Sequence, residues 1–227
     1  VNTSLLGTYT IDYQATDSQG NVADVVTRTV NLVDTQAPVM SLIGDLSQTI
    51  QVKSSYTELG VSTIDNYDLS IPFSSVTVTG SVDINTVGTY SIDYDVSDSS
   101  GNNAVTITRT VVVEDTEAPV IILAGDADIT LEADSPYSDA GASVTDNYNT
   151  GLTASVDLSS LDLTTVGVYT LTYSVSDSSG NAATPVYRTI TIVDTQAPTI
   201  TLVGNPTIDV QAGTTYVDPG FTATDIY

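Results

Sequence analysis

The chain has 227 residues, with 28 acidic side chains against 4 basic ones, no histidine, no cysteine and no tryptophan, and a formal net charge of −24. Without Cys there are no disulfides, thiolate nucleophiles or Cys-ligated zinc, and without His the side chain most used for proton transfer at neutral pH is missing. Four bases cannot build a phosphate-binding surface or draw the chain to anionic lipid, which excludes nucleic acid and membrane surfaces as partners.

The chain is nevertheless built to fold: 41% of its residues are hydrophobic, too many for a disordered polyanion. All but four of the acids are Asp, the acid of turns and calcium loops, whereas helix surfaces favour Glu. No run of about 18 apolar residues and no signal-peptide pattern is present.

In chain order, the first strand carries Tyr9, Ile11 and Tyr13 on one parity. A turn follows at 17–21 (Asp-Ser-Gln-Gly-Asn), then a strand through Arg28 and a linker at 34–38 (Asp-Thr-Gln-Ala-Pro). Short β-rich segments come next, near 39–43, 48–52, 59–64, 73–79 and 81–84, where Thr, Val, Ile and Tyr favour strands over helices. The clearest signal is at 89–97, where Tyr90, Ile92, Tyr94 and Val96 alternate with polar residues in a period of two. The turn at 98–102 (Asp-Ser-Ser-Gly-Asn) leads into a strand with Ile107, Arg109, Val111 and Val113 on one parity and Thr106, Thr108 and Thr110 on the other. The two strands make a long hairpin, and the same succession then begins again.

The repetition is strict. Asp-Thr-x-Ala-Pro stands at 34–38, 115–119 and 194–198, at offsets of 81 and 79 residues. Asp-Ser-x-Gly-Asn at 17–21, 98–102 and 177–181 keeps those offsets, as do Gly7, Gly88 and Gly167, the arginines Arg28, Arg109 and Arg188, and Tyr56, Tyr137 and Tyr216. A period of about 80 residues is a small domain and not a solenoid unit. The chain therefore divides into the second half of a copy at 1–38, complete copies at 39–118 and 119–197, and the first part of another at 198–227. It reads as a window on a longer array. About seven short strands per copy predict an all-β chain of tandem antiparallel β-sandwich modules.

The ordered motifs Asp-Thr-x-Ala-Pro-x-Ile, Tyr-x-Asp-x-Gly, Gly-x-Tyr-x-x-x-Tyr, Asp-Ser-x-Gly-Asn-x-Ala and Arg-Thr-x-x-x-x-Asp, clearest between Asp115 and Asp194, resemble the bacterial immunoglobulin-like and HYR-like repeats of large surface proteins. The resemblance covers the whole chain. It implies Ig-like sandwiches in a bacterial extracellular or cell-surface protein of the adhesin-stalk type, and the missing His and Cys predict no enzymatic activity.

Carboxylates at the module junctions are the candidate site. In an Ig-like sandwich the last hairpin turn lies where the chain enters, so one junction is expected to gather Asp34, Glu58 and Asp98, and the next Asp115, Asp139 and Asp177. Asp65 or Asp68 is expected to join that second junction, and Asp146 to take the same role near Asp194 and Asp218. Clustered carboxylates call for a hard cation, so calcium is expected there. The competing reading is that Asp serves only as a turn and cap residue.

The parity of Arg109 points its stem inward, toward a tyrosine or a buried acid, and the strand tyrosines are expected in the core with hydroxyls bonded to loops. Lys53, replaced by Asp134 and Gly213 in the other copies, is no property of the repeat. Asn2-Thr3-Ser4 matches an N-glycosylation sequon, and attached glycans are expected partners beside neighbouring copies stacked head to tail, up to a homopolymeric fibre. The predicted function is mechanical: a calcium-stiffened rod or filament. The alternative is a module that binds a polysaccharide or protein ligand, for which the divergent stretches 68–87 and 149–166 are the place to look.

Overall fold

The computed structural model describes residues 1–227 and divides into two compact units, Val1–Glu114 and Asp115–Tyr227. Each holds one complete copy of the repeat and one partial copy.

In the first unit, β1 (Gly7–Tyr13) and β2 (Val26–Leu32) pair as a hairpin. The complete copy follows with β3 (Val39–Leu42), β4 (Ser47–Gln51), β5 (Val61–Ile64), one 3-10 turn at Phe73–Ser75, β6 (Thr77–Thr79), β7 (Gly88–Asp95) and β8 (Ile107–Glu114). Strands β3 and β5 make a two-stranded sheet, and a four-stranded sheet runs in the order β4-β8-β7-β6. The second unit repeats this with β9 (Val120–Leu123), β10 (Asp128–Glu132), β11 (Ala142–Thr145), β12 (Ser155–Asp157), β13 (Gly167–Ser174) and β14 (Val186–Val193). The hairpin of β15 (Thr199–Leu202) and β16 (Phe221–Thr224) ends it. No helix is long and apolar enough to cross a membrane.

The period-two pattern is what closes each sandwich. Ile92, Tyr94 and Val96 point inward with Met40 and Val61 in one core. Leu171, Tyr173, Ile190 and Ile192 do so with Ile121 in the other. The alternate residues face solvent, where Thr108 and Thr106 donate to Asp93 (2.6 Å) and Asp95 (2.5 Å) across the hairpin.

The expected all-β sandwich is what forms, with three local differences. One strand of each large sheet is parallel: after leaving β3 through residues 43–46, the chain lays β4 along β8 in the same direction, and β10 lies likewise along β14. Each complete copy has six strands, because 81–84 forms none. Gly80 breaks the run with φ +98°, and Asp83 caps a turn by accepting from Asn85 N and Thr86 Oγ1. The segment expected as a strand from 73 begins as the 3-10 turn behind Pro72.

Lys53 and Asp134 both adopt a left-handed backbone, φ +63° and +60°, just after β4 and β10. Gly213 takes the same conformation in the last copy, so the position constrains backbone and leaves the side chain open.

Candidate metal centre

Two inward-facing residues dominate the middle of the long hairpins. Arg109 and Arg188 are both 0% exposed. Burying a guanidinium is tolerable only with a counter-ion and satisfied donors. Arg109 takes Glu58 through Nε at 3.1 Å and donates to the carbonyls of Asp45 (2.8 Å) and Ile43 (2.7 Å). Arg188 pairs with Asp139 through Nη1, donates from Nε to Asp126 O (3.0 Å) and from Nη2 to Ala124 O, and lies 5.5 Å from the Tyr173 ring centre.

This corrects the expected ligand sets. Glu58 and Asp139 do not join the junction carboxylates. Each stands two residues before a glycine whose N–H it accepts (2.8 and 3.0 Å), and that bond turns its carboxylate inward onto the arginine. Glu58 also accepts from Tyr56, and Asp139 from Tyr137 (2.8 Å) and Tyr173 (2.6 Å). Burial acts to raise both carboxyls, but these donors and the arginines outweigh it and hold them below the usual range. Burial first, and then Glu58, push the Tyr94 phenol up to about 12.

The junction carboxylates converge in a different grouping. Asp34, Asp65 and Asp98 bring carboxylate oxygens within 4.8 Å of one another, and Asp115, Asp146 and Asp177 do the same. Each trio is drawn from the linker, the end of the second strand of the small sheet, and the last hairpin turn. The register explains why Asp65 belongs with the linker ahead of its own module and not with the next. Ile64 pairs with Val39, the first strand residue after the linker, so Asp65 is set beside the arriving chain. Thr145 and Val120 place Asp146 in the same way. Asp68 instead accepts from Ser99 N (2.6 Å) and Oγ (2.8 Å). Asp194 and Asp218 accept from Gln196 N (3.3 Å) and Gly220 N (3.1 Å), and neither belongs to the trio of Asp146.

Turn hydrogen bonds hold both oxygens of Asp98 and one oxygen each of Asp65 and Asp146. Asp98 accepts from Ser100 N (2.9 Å), Asn102 N (2.8 Å) and Asn102 Nδ2 (2.7 Å). Asp65 accepts from Tyr67 N (2.8 Å) and Asp68 N (3.0 Å) through Oδ2. Asp146 does so from Tyr148 N (2.9 Å) and Asn149 N (2.7 Å). The opposite oxygens, Asp65 Oδ1 and Asp146 Oδ1, are buried without a hydrogen-bond partner, as is Asp34 Oδ2. Asp98 and Asp177 are each only 8% exposed, and Asp115 5%. Burial acts to raise the Asp98 and Asp177 carboxyls, but the Asn side chains and backbone N–H groups hold them below the usual range, so both are charged at neutral pH.

Two unit charges at such a separation repel by about 3–4 kcal/mol at an effective dielectric near 20. Three converging carboxylates, with Asp34 Oδ2 and Asp65 Oδ1 unpartnered in one trio and Asp146 Oδ1 in the other, therefore form a hard, oxygen-only donor set, the chemistry that calcium takes.

Fold and repeat define a class: tandem Ig-like β-sandwich modules. The chain belongs to the family described as bacterial surface protein, Ig-like domain, whose sequence model matches residues 1–32, 40–113 and 121–192. Membership implies an extracellular or cell-surface location and points to a non-catalytic module. Among relatives, hyalin of Strongylocentrotus purpuratus is 36% identical over 206 residues, 86% of this chain and 17% of that protein. An uncharacterized 81.3 kDa protein of Acholeplasma phage L2 is 31% identical over 208 residues, covering 85% of this chain and 27% of that protein. The chain thus spans well under half of these relatives' length. Among solved structures, the I67–I69 fragment of titin aligns over 85% of this chain and 76% of its own, at 11% identity and a TM-score of 0.34.

Proposed function

We propose that the array is a non-enzymatic spacer of a bacterial surface protein, a rod of modules stacked head to tail, with calcium binding each linker to the module that follows it. One observation carries this reading: in both complete copies, a linker aspartate meets two aspartates of the following sandwich, and carboxylate oxygens are left buried without partners. A cation there links linker to sandwich and offsets the mutual repulsion of the trio. Proline at 38, 119 and 198 restricts the backbone where each copy begins, which limits bending at the same place. Neighbouring copies of the chain stacked in the same manner give a fibre.

The test is thermal unfolding with calcium and with chelator, together with Asp65→Asn/Asp146→Asn. Calcium at about a hundred times its dissociation constant is expected to stabilise each site by about 2.7 kcal/mol, and the double variant is expected to lose that response. Identical midpoints in millimolar calcium and in chelator would refute the ion.

A second reading has one observation behind it. A groove of about 540 Å³ is lined by Ser75, Thr77, Asp95, Ser97, Asn103 and Thr106, partly within the divergent stretch 68–87. Its hydroxyl, amide and carboxylate lining suits a polyhydroxylated ligand such as a polysaccharide. Retention of the chain on a glycan array, lost on Thr77→Val, is the corresponding check.

A further inference from the structure

The turn between the last two strands of each copy ends in an asparagine whose side chain does two things at once. Asn181 Nδ2 donates to Asp177 Oδ2 at 2.7 Å and to the linker carbonyl of Asp115 at 3.0 Å. Asn102 Nδ2 donates to Asp98 Oδ2 at 2.7 Å and, at longer range, to the linker carbonyls of Asp34 (3.4 Å) and Gln36 (3.3 Å). The partial copy shows which half of this is intrinsic. Asn21 Nδ2 donates to Asp17 Oδ2 at 2.8 Å, and Asp17 accepts from Gln19 N and Asn21 N, in the same five-residue turn. The Asp–Asn pair is therefore a product of the turn alone. An amide carries two N–H donors, so once the turn has spent one on its aspartate the other is aimed at whatever chain lies alongside. In both complete copies that chain is the linker.

The consequence is geometric. Asp34 and Asp115 sit on linkers, outside the strands and hairpin turns that carry the other two carboxylates of each trio. Strand register fixes Asp65 and Asp146, and turn hydrogen bonds fix Asp98 and Asp177. A linker that slid by one residue would carry its carboxylate out of the cluster. Ser179 Oγ also reaches Asp115 Oδ2, at 3.4 Å, from the same turn.

We infer that Asn181 is the positioning residue of the trio of Asp115, Asp146 and Asp177: it ties the linker main chain to the turn and so sets the linker aspartate at the distance a cation needs, while Asn102 makes a longer version of the same contact in the other copy. The inference rests on the calcium reading for its metal-binding consequence and stands on hydrogen-bond geometry for the docking itself. An amide that holds a ligand-bearing segment without touching the ion acts as outer-shell partners do, and loss of such partners costs about 10- to 100-fold in metal affinity.

The test uses the whole 227-residue chain with Asn181→Ala and, because a truncated turn can misfold, the near-isosteric Asn181→Asp. Asn102 in the other unit of the same molecule is the internal control. Two quantities are read on protein with a cooperative thermal transition: amide hydrogen exchange of linker residues 115–118, and affinity for calcium by displacement of terbium luminescence. In chelator, both variants are expected to speed exchange at 115–118 and leave residues 34–37 unchanged. With metal, Asn181→Ala is expected to weaken one of two sites by about 10- to 100-fold.

Unchanged exchange at 115–118 in a folded variant overturns the inference, and so does faster exchange with unchanged affinity at both sites. If the unaltered chain binds neither calcium nor terbium, the calcium reading falls. The positioning role is then decided by exchange alone, faster linker exchange supporting it and equal exchange ending it.

Discussion

Replacing Arg188 by alanine is the severest test of how these modules hold together. The guanidinium is fully buried, and its removal takes the counter-ion from the Asp139 carboxylate, 12% exposed, and the side-chain donor from the carbonyls of Asp126 and Ala124. Breaking a buried pair from one side costs about 3–5 kcal/mol, because the abandoned charge stays desolvated. A small domain has only about 5–15 kcal/mol in total. At about 4–8 °C per kcal/mol for a domain of this size, the midpoint of the second unit should fall by about 12–40 °C. Scanning calorimetry reads this directly, since the transition of Val1–Glu114 should stay in place as an internal reference. Arg188→Met with Asp139→Asn should recover part of the loss, because the amide still accepts from Tyr137 and Tyr173 without a charge to bury. A loss below about 1 kcal/mol, the value of a solvent-exposed pair, would show that the arginine is not the pin described here.

Other expectations follow from the same geometry. Gly80→Ala should destabilise by about 1–3 kcal/mol in urea unfolding, since φ is +98° and a Cβ would stand 2.2 Å from the backbone oxygen of Ser91. Tyr169→Phe removes the bond from its hydroxyl to Thr165 O (2.8 Å) and should cost about 0.5–1.5 kcal/mol without altering the circular dichroism spectrum. Glu58 and Asp139 have folded-state carboxyls below their ordinary values. Their contribution should therefore be complete above the unfolded carboxylate range and disappear as pH falls through the depressed folded values. Urea midpoints measured from neutral pH downward should hold until about pH 4 and then drop.

The long hairpins were legible because alternation over eight residues at Gly88–Asp95 admits one face only. Parity also placed Arg109 inward, and the hydroxyls of Tyr9, Tyr90 and Tyr169 reach loop carbonyls four residues back. What sequence distance could not show was which acid meets which partner. Glu58 and Asp98 both lie near turns, and only the glycine-directed bond at Gly60 sends the first inward. Asp65 was legible in principle: once β3 and β5 pair antiparallel, the residue after β5 must lie beside the linker before β3. The parallel seat of β4 depends on a sheet-to-sheet crossing that leaves no periodic mark.

The buried arginines also determine how the array meets proteases. Trypsin-like enzymes need an accessible, extended basic residue, and half of this chain's four bases lie fully enclosed at the centre of strands. A folded module carrying only such an arginine presents no cleavage point to them. The repeat at 119–197, whose one base is Arg188, thus conceals in its core the only residue at which its unfolded chain would be cut.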